Sequence, residues 1–189
     1  MFPILCFTNS KHFILGNEAY NKEEWEDVIR YMENSLKNFL LEELKCRYLC
    51  DEEESVVGVR GDFTVKLGRS ITTSLHCKQG CSSGLSSVSG EQIENFLPEL
   101  YNYLQIAYYN VGDLRKACSA VASYLLFLPT DKTMLYNKLY YTDKKDAKEE
   151  YFIPREEARD YHRRDENEKK LLQLSQSQHY GRDVGEETR

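Results

Sequence analysis

From Ile14 to Phe39 the apolar residues Ile14, Leu15, Tyr20, Trp25, Val28, Ile29, Met32 and Leu36 recur at three- and four-residue steps. That spacing gathers side chains on one face of an α-helix. The polar run Asn21-Lys22-Glu23-Glu24 interrupts it and predicts a tight turn, with Asn21 as N-cap of the next helix. A second periodic block runs from Ile93 to Leu128 and breaks at Val111-Gly112-Asp113. There Gly112 suits the left-handed residue after a helix, and Asp113 suits the cap of the following one. Pro129 closes the block, and Thr130-Asp131 opens a further helix through Tyr141. A third, densely charged block spans Pro154 to Leu174, with Pro154 at a first helical position. Two stretches lack the period. Residues 51–69 are acidic, then Gly-rich and β-branched, and are expected to be irregular; residues 82–90, rich in Ser and Gly, read as a flexible linker. Residues 1–10 are expected to be unstructured and 175–189 to form a disordered polar tail, which leaves 11–174 as a single α-helical domain.

Internal similarity refines this all-α reading. Tyr101, Leu104, Ala107-Tyr108, Gly112-Asp113, Ala117, Tyr124 and Pro129 follow the tetratricopeptide pattern, and Leu15-Gly16, Tyr20 and Trp25 give a weaker copy. In that copy Lys22 to Glu24 stand where the turn glycine would be. Small residues such as Ala107 and Ala117 let paired helices approach closely, with aromatics filling the space around them. The expected fold is a tetratricopeptide-like array of helical hairpins, about seven helices in all.

The cysteines add one sharp feature. Cys46-x-x-x-Cys50 and Cys77-x-x-x-Cys81 each place two thiols on one side of a helix. Two such helices packed antiparallel can join crosswise, Cys46 with Cys81 and Cys50 with Cys77, at the Cα separation of about 5.5 Å that a disulfide needs. A zinc centre of four thiolates and a set of buried free thiols stay open beside that pairing. Cys118 fits a small core residue, and Cys6 has no evident role.

Composition narrows the functional classes. In 189 residues, 25 Lys and Arg face 31 Asp and Glu, for a net charge of −6, which argues against a phosphate-backbone binder. The longest apolar stretch, Ala117 to Leu128, falls short of the roughly 20 residues a membrane span requires. No signal peptide or retention motif is legible. Four His, a missing nucleophile elbow and a missing glycine-rich phosphate loop leave no catalytic assembly. Arg60-Gly61-Asp62 matches an integrin tripeptide by accident, and Glu52-Glu53-Glu54 lacks the alternation of a calcium loop. His162 with Arg159, Arg163 and Arg164 alternates with Asp160, Asp165, Glu166 and Glu168, the pattern of a solvated, salt-bridged helix face.

Taken together, the paired Cys-x-x-x-Cys motifs with Cys77-Lys78-Gln79-Gly80-Cys81, Asn95-Phe96-Leu97-Pro98, the run Tyr101 to Tyr109, Tyr124-Leu125-Leu126-Phe127, Asn137-x-Leu139-Tyr140-Tyr141 and Pro154-Arg155-Glu156-Glu157-Ala158 carry a resemblance. The chain resembles the leprecan family, the collagen prolyl 3-hydroxylases and cartilage-associated protein, over roughly Leu15 to Leu172. The resemblance implies a protein of the endoplasmic reticulum lumen that helps modify newly made procollagen. It implies procollagen chains and a cyclophilin-class prolyl isomerase, or a prolyl or lysyl hydroxylase, as partners. In that family the iron- and 2-oxoglutarate-dependent chemistry needs a His-x-Asp pair. The residues two positions after His12, His76, His162 and His179 are Ile14, Lys78, Arg164 and Gly181, so this chain is expected to be non-enzymatic and without cofactor.

By repeat position the groove face of the second hairpin carries Asn102, Ile106, Tyr109 and Asn110. Tyr and Asn make hydrogen-bonding surfaces suited to an extended, proline-rich chain. The leading expectation is a scaffold or chaperone-type subunit in collagen prolyl 3-hydroxylation. The alternatives are the helical part of a true prolyl 3-hydroxylase and a generic tetratricopeptide adaptor. At about half of the helical region that the family uses, the chain is expected to be a part, an alternative product or a short member.

Overall fold

The computed structural model describes the backbone of residues 7–52 and 63–183, with side chains between 11–51 and 67–175. Among the described residues seven α-helices follow one another: α1 (Phe7–Asn21), α2 (Trp25–Glu52), α3 (Phe63–Leu85), α4 (Phe96–Asn110), α5 (Leu114–Phe127), α6 (Lys132–Thr142) and α7 (Glu156–Asp183). The hairpins α1–α2 and α4–α5 face each other through α2 and α4, while α3 folds back along the C-terminal half of α2. Helix α7 returns across α3 and α5 and closes the bundle. No helix among the described residues is long and apolar enough to cross a membrane.

The sequence period explains the core. Val28, Met32, Leu36 and Phe39 line one stripe of α2, and Leu100, Tyr101, Leu104, Ala107 and Tyr108 line the facing stripe of α4. Rings lock the two hairpins together: Phe13 lies 5.1 Å from Phe96, Phe39 lies 5.5 Å from Phe96, and Tyr20 meets Tyr103 edge-on at 5.1 Å. At Gly16 an added Cβ would sit 2.7 Å from the Met32 methyl, so glycine sets the closeness of α1 and α2. Of the 14 tyrosines of the chain, Tyr101, Tyr108, Tyr124 and Tyr141 are buried and serve packing.

The caps follow local chemistry. Gly112, at φ 84°, occupies the left-handed position after α4. Asp113 accepts the Lys116 amide at 3.1 Å, and Asp131 accepts the Met134 amide at 2.8 Å. Several local expectations need correction. Asn21 ends α1, bonding back to Asn17, and does not cap α2; the turn is made by Glu23, which adopts φ 60°. Helix α7 begins at Glu156, because Pro154 lies in extended chain and Arg155 supplies the first accepting carbonyl, to Arg159. The stretch 82–90 is no open linker: α3 continues to Leu85, and Ser87–Val88 pairs with Glu91–Gln92 in a two-stranded hairpin. Burial of Leu85 and Val88 fixes that hairpin on the bundle despite its Ser- and Gly-rich composition. Helical backbone also covers 63–69, expected to be irregular, and 175–183, expected to be disordered.

Candidate functional site

Two elements stand out as functional candidates: the stapled α2–α3 pair and the outward face of α4 with α6. In the first, the i, i+4 spacing on both helices brings four thiols to one seam. Cys46 is bonded to Cys81 and Cys50 to Cys77, with Cα separations of 5.9 and 5.8 Å. Crosswise pairing is what antiparallel packing allows, since Cys46 precedes Cys50 while its partner Cys81 follows Cys77. With all four thiols in bridges, neither the zinc reading nor the free-thiol reading describes this oxidised state. Beyond the bridges, Asp51 accepts from Lys78 at 2.6 Å and from Ser74 at 2.8 Å, extending the same register toward the C-terminal end of α2. Cys118 is a buried free thiol in α5, and burial pushes its pKa up to about 11.

The stripe of α2 that faces inward changes from apolar to charged at Glu42, Glu43 and Arg47, all buried. Helix α7 supplies the counter-charges. Arg164 donates to Glu43 at 2.7 Å, Arg47 donates to Glu168 of α7 and lies 3.4 Å from Glu43. Gln79 of α3 donates to Asp165 and Glu168 at 3.3 and 3.2 Å. Burial outweighs both arginines at Glu43 and holds its carboxyl above the usual carboxylate range. The reading of α7 as a wholly solvated face is corrected here. Arg163 and Asp160 form such an exposed pair at 2.8 Å, but Arg164, Asp165 and Glu168 turn inward to tie α7 to the stapled helices. A lone sequence gives no sign of this, because partners 121 residues apart look like ordinary surface charges.

In the second element, Asn102, Ile106, Tyr109 and Asn110 fall on one face of α4. Asn110 is exposed and the other three are half-buried. Asn102 donates to Glu99 and accepts from Gln105, and Asn110 donates to the Ile106 carbonyl at 2.9 Å. Tyr109 stacks on Tyr141 at 4.9 Å, and its hydroxyl lies 3.0 Å from that of Tyr140. Helix α6 therefore covers one side of Tyr109 and continues the face outward. Leu135, Tyr136, Leu139 and Tyr140 are exposed there, Tyr136 by 68% and Leu139 by 69%. The Lys144 ammonium sits 3.7 Å from the centre of the Tyr140 ring, and its hydrogen bonding with that of Tyr109 holds the Tyr140 phenol below its ordinary pKa. Beside Asn110 opens a cleft of about 510 Å³, bordered by Glu23 to Asp27 and Val111. The α6 residues were missed by sequence reasoning; the run Leu135-Tyr136 and Leu139-Tyr140, an apolar pair repeated at i+4, was the available signal. Cys6, Arg60-Gly61-Asp62 and the side chains of Glu52 to Glu54 lie outside the described residues.

Comparisons with known proteins place this architecture. The model of the leprecan family TPR-like repeat region matches residues 7–145. Mouse prolyl 3-hydroxylase 1 is 37% identical over 85% of this chain and 23% of its own length. Mouse cartilage-associated protein is 33% identical over 92% of this chain and 44% of its own. The human endoplasmic reticulum protein SC65 is 32% identical over 86% and 38% respectively. The chain thus spans less than half of each of these relatives, and its family match lies in the repeat region rather than in a catalytic domain. On the repeat match and the identities together, the chain belongs to the leprecan family.

Proposed function

We propose that this chain acts as a non-enzymatic scaffold or chaperone-type subunit in collagen prolyl 3-hydroxylation in the endoplasmic reticulum lumen. The observation that carries this reading is the tyrosine- and asparagine-bearing face that runs from Asn102, Ile106, Tyr109 and Asn110 on α4 to Tyr136 and Tyr140 on α6. Flat phenol rings fit proline rings, and the amide and hydroxyl groups can bond the backbone carbonyls that a polyproline helix leaves unpaired. A procollagen chain is the ligand of that chemistry. By the family resemblance, the protein partner in this reading is a cyclophilin-class prolyl isomerase, or a prolyl or lysyl hydroxylase. The two interhelical disulfides agree with an oxidising lumen.

A second reading rests on the identities: the match to mouse prolyl 3-hydroxylase 1, at 37%, exceeds that to mouse cartilage-associated protein, at 33%. In that reading the same helices form the repeat region of a longer hydroxylase. Titration of the chain with a labelled proline-rich collagen-type peptide tests the face itself. Saturable binding, weakened at least tenfold by Tyr136→Ala and Ile106→Ala, is expected; binding indifferent to both substitutions overturns the assignment. A transcript joining this coding region to a dioxygenase module would decide for the second reading.

A further inference from the structure

We propose that the four cysteines joining α2 and α3 form a redox-gated zinc site: two disulfides when oxidised, one tetrahedral four-thiolate zinc centre when reduced. Three of the four sulfur atoms already lie close together. In a zinc–tetrathiolate centre with bonds of about 2.3 Å, neighbouring sulfurs stand about 3.8 Å apart. Here the sulfurs of Cys50 and Cys81, which belong to different bridges, are 4.0 Å apart. Those of Cys46, Cys50 and Cys81 all lie within 4.8 Å of one another, while the Cys77 sulfur, bonded to that of Cys50, lies outside this group and has to turn in as the fourth ligand. Two Cys-x-x-x-Cys pairs also fall within the ligand spacing that structural zinc sites use.

The surroundings suit a closed structural site. Cys50 and Cys81 are 3% and 4% exposed, and the other two are half-buried. Two cationic side chains adjoin the cluster in sequence, Arg47 beside Cys46 and Lys78 beside Cys77, and both are held in place by carboxylates of α2 or α7. The helices themselves are held apart from collapse by independent contacts, Gln79 to α7 and Ser74 to Asp51, so the frame that presents the thiols does not depend on the bridges alone.

The chemistry balances with a small-molecule thiol–disulfide couple. Four small thiols reduce the two bridges by exchange and leave as two small disulfides, delivering four electrons and four protons to the cysteine sulfurs. Binding of one Zn²⁺ then releases those four protons and forms four Zn–S bonds. In the reverse direction two small disulfides accept four electrons from the centre, both protein bridges re-form and Zn²⁺ is expelled.

The test uses the full chain in a Cys6→Ser, Cys118→Ser background, which leaves these four thiols alone. After reduction, titration with Co²⁺ should give the absorption of a tetrahedral thiolate complex at one equivalent per chain, bleached by Zn²⁺. Cys50→Ser should weaken that binding at least tenfold, and a small-molecule disulfide added to the zinc-loaded chain should release one Zn²⁺ per chain to a chromophoric chelator. Circular dichroism runs in parallel. A reduced chain that keeps its helices yet shows no tetrahedral cobalt spectrum overturns the proposal. So does a reduced chain that loses its helices and does not recover them with Zn²⁺, or a spectrum unchanged in Cys50→Ser.

Discussion

Arg155 grips Glu33 with both terminal guanidinium nitrogens, at 2.5 and 2.9 Å, and so fastens the start of α7 to the middle of α2 across 122 residues of chain. The Tyr108 hydroxyl of α4 donates to the same carboxylate at 2.6 Å, and Arg155 also reaches Glu157 at 2.5 Å. Three helices meet at this one acid. Burial alone would raise the Glu33 pKa, but the hydrogen bonds and charge of Arg155 and the Tyr108 hydroxyl hold it below the usual carboxylate range.

Removing one member of this cluster leaves the others without partners. Arg155→Ala is expected to lower stability by about 2 kcal/mol, less than a fully buried pair because both side chains keep some contact with water. Urea denaturation of Arg155→Ala, Glu33→Gln and the double variant checks it. The double variant should lose clearly less than the sum of the singles, because a shared bidentate pair is broken only once. Strict additivity would show that the two groups do not interact.

The disulfides should also be non-additive, in the opposite direction. The bridges are nested, Cys50–Cys77 closing 27 residues inside the 35 closed by Cys46–Cys81. With either one intact, the other closes only a small ring of about ten residues, worth about 2.5 kcal/mol by loop entropy. Losing both frees the whole insertion and costs about 6 kcal/mol. Guanidinium denaturation of Cys46→Ala/Cys81→Ala, Cys50→Ala/Cys77→Ala and the quadruple variant, without reductant, should show the quadruple loss exceeding the sum of the two others.

What could be read from the sequence was what neighbours in the chain decide. The caps Asp113 and Asp131, the Gly112 turn and the crossed cysteines all rest on steps of three or four residues, and such steps have one meaning on a helix. Contacts between distant charges did not show. Arg164 and Glu168, four residues apart, look in the sequence like the pair Asp160 and Arg163, three apart, yet the first two face inward and the second two face water, and only the path of α7 across α2 decides which. Residues 82–90 misled for a related reason: small polar residues describe a linker by composition, whereas Leu85 and Val88 anchor it by burial. On the candidate face, repeat position gave the α4 residues, but the extension onto α6 needed the Tyr109–Tyr140 contact, which joins two helices.

Tyr140 should titrate apart from Tyr124 and Tyr161. Exposed Tyr140, with Lys144 and Tyr109 hydrogen-bonded to it, ionises below the ordinary phenol value. Tyr124 is pushed up to about 12 by burial and by Asp131, and Tyr161 to about 12 by burial and by the charge of Glu43. A phenol whose folded pKa lies above its unfolded value near 10 adds stability that is fully present below pH 10. That stability is lost as pH rises toward 12. Tyrosinate absorbance should therefore rise first without loss of helix, a component missing in Tyr140→Phe, and then rise again together with helix unfolding. A single transition shared by all phenols would contradict this ordering.

The two hairpin turns make the same demand for a left-handed residue, and only one of them meets it with glycine. In the α4–α5 turn Gly112 holds φ 84° with open space around the position of a Cβ, so Gly112→Ala meets no clash and suffers only from the left-handed backbone. It should cost about 1 kcal/mol. In the α1–α2 turn the same kind of backbone is imposed on Glu23, at φ 60°, where the repeat pattern has lost its glycine. The turn amides are satisfied by backbone carbonyls without help from the exposed Glu23 side chain: Glu24 donates to the Ala19 carbonyl at 3.0 Å and Lys22 to it at 3.1 Å. Glu23→Gly should therefore stabilise the chain by about 0.5 kcal/mol, the relief at φ 60° slightly exceeding the greater freedom that glycine has in the unfolded chain. Thermal unfolding followed by circular dichroism separates the cases, with Tm rising for Glu23→Gly and falling for Gly112→Ala. Equal signs for the two would mean that the left-handed residue does not govern the energy of either turn.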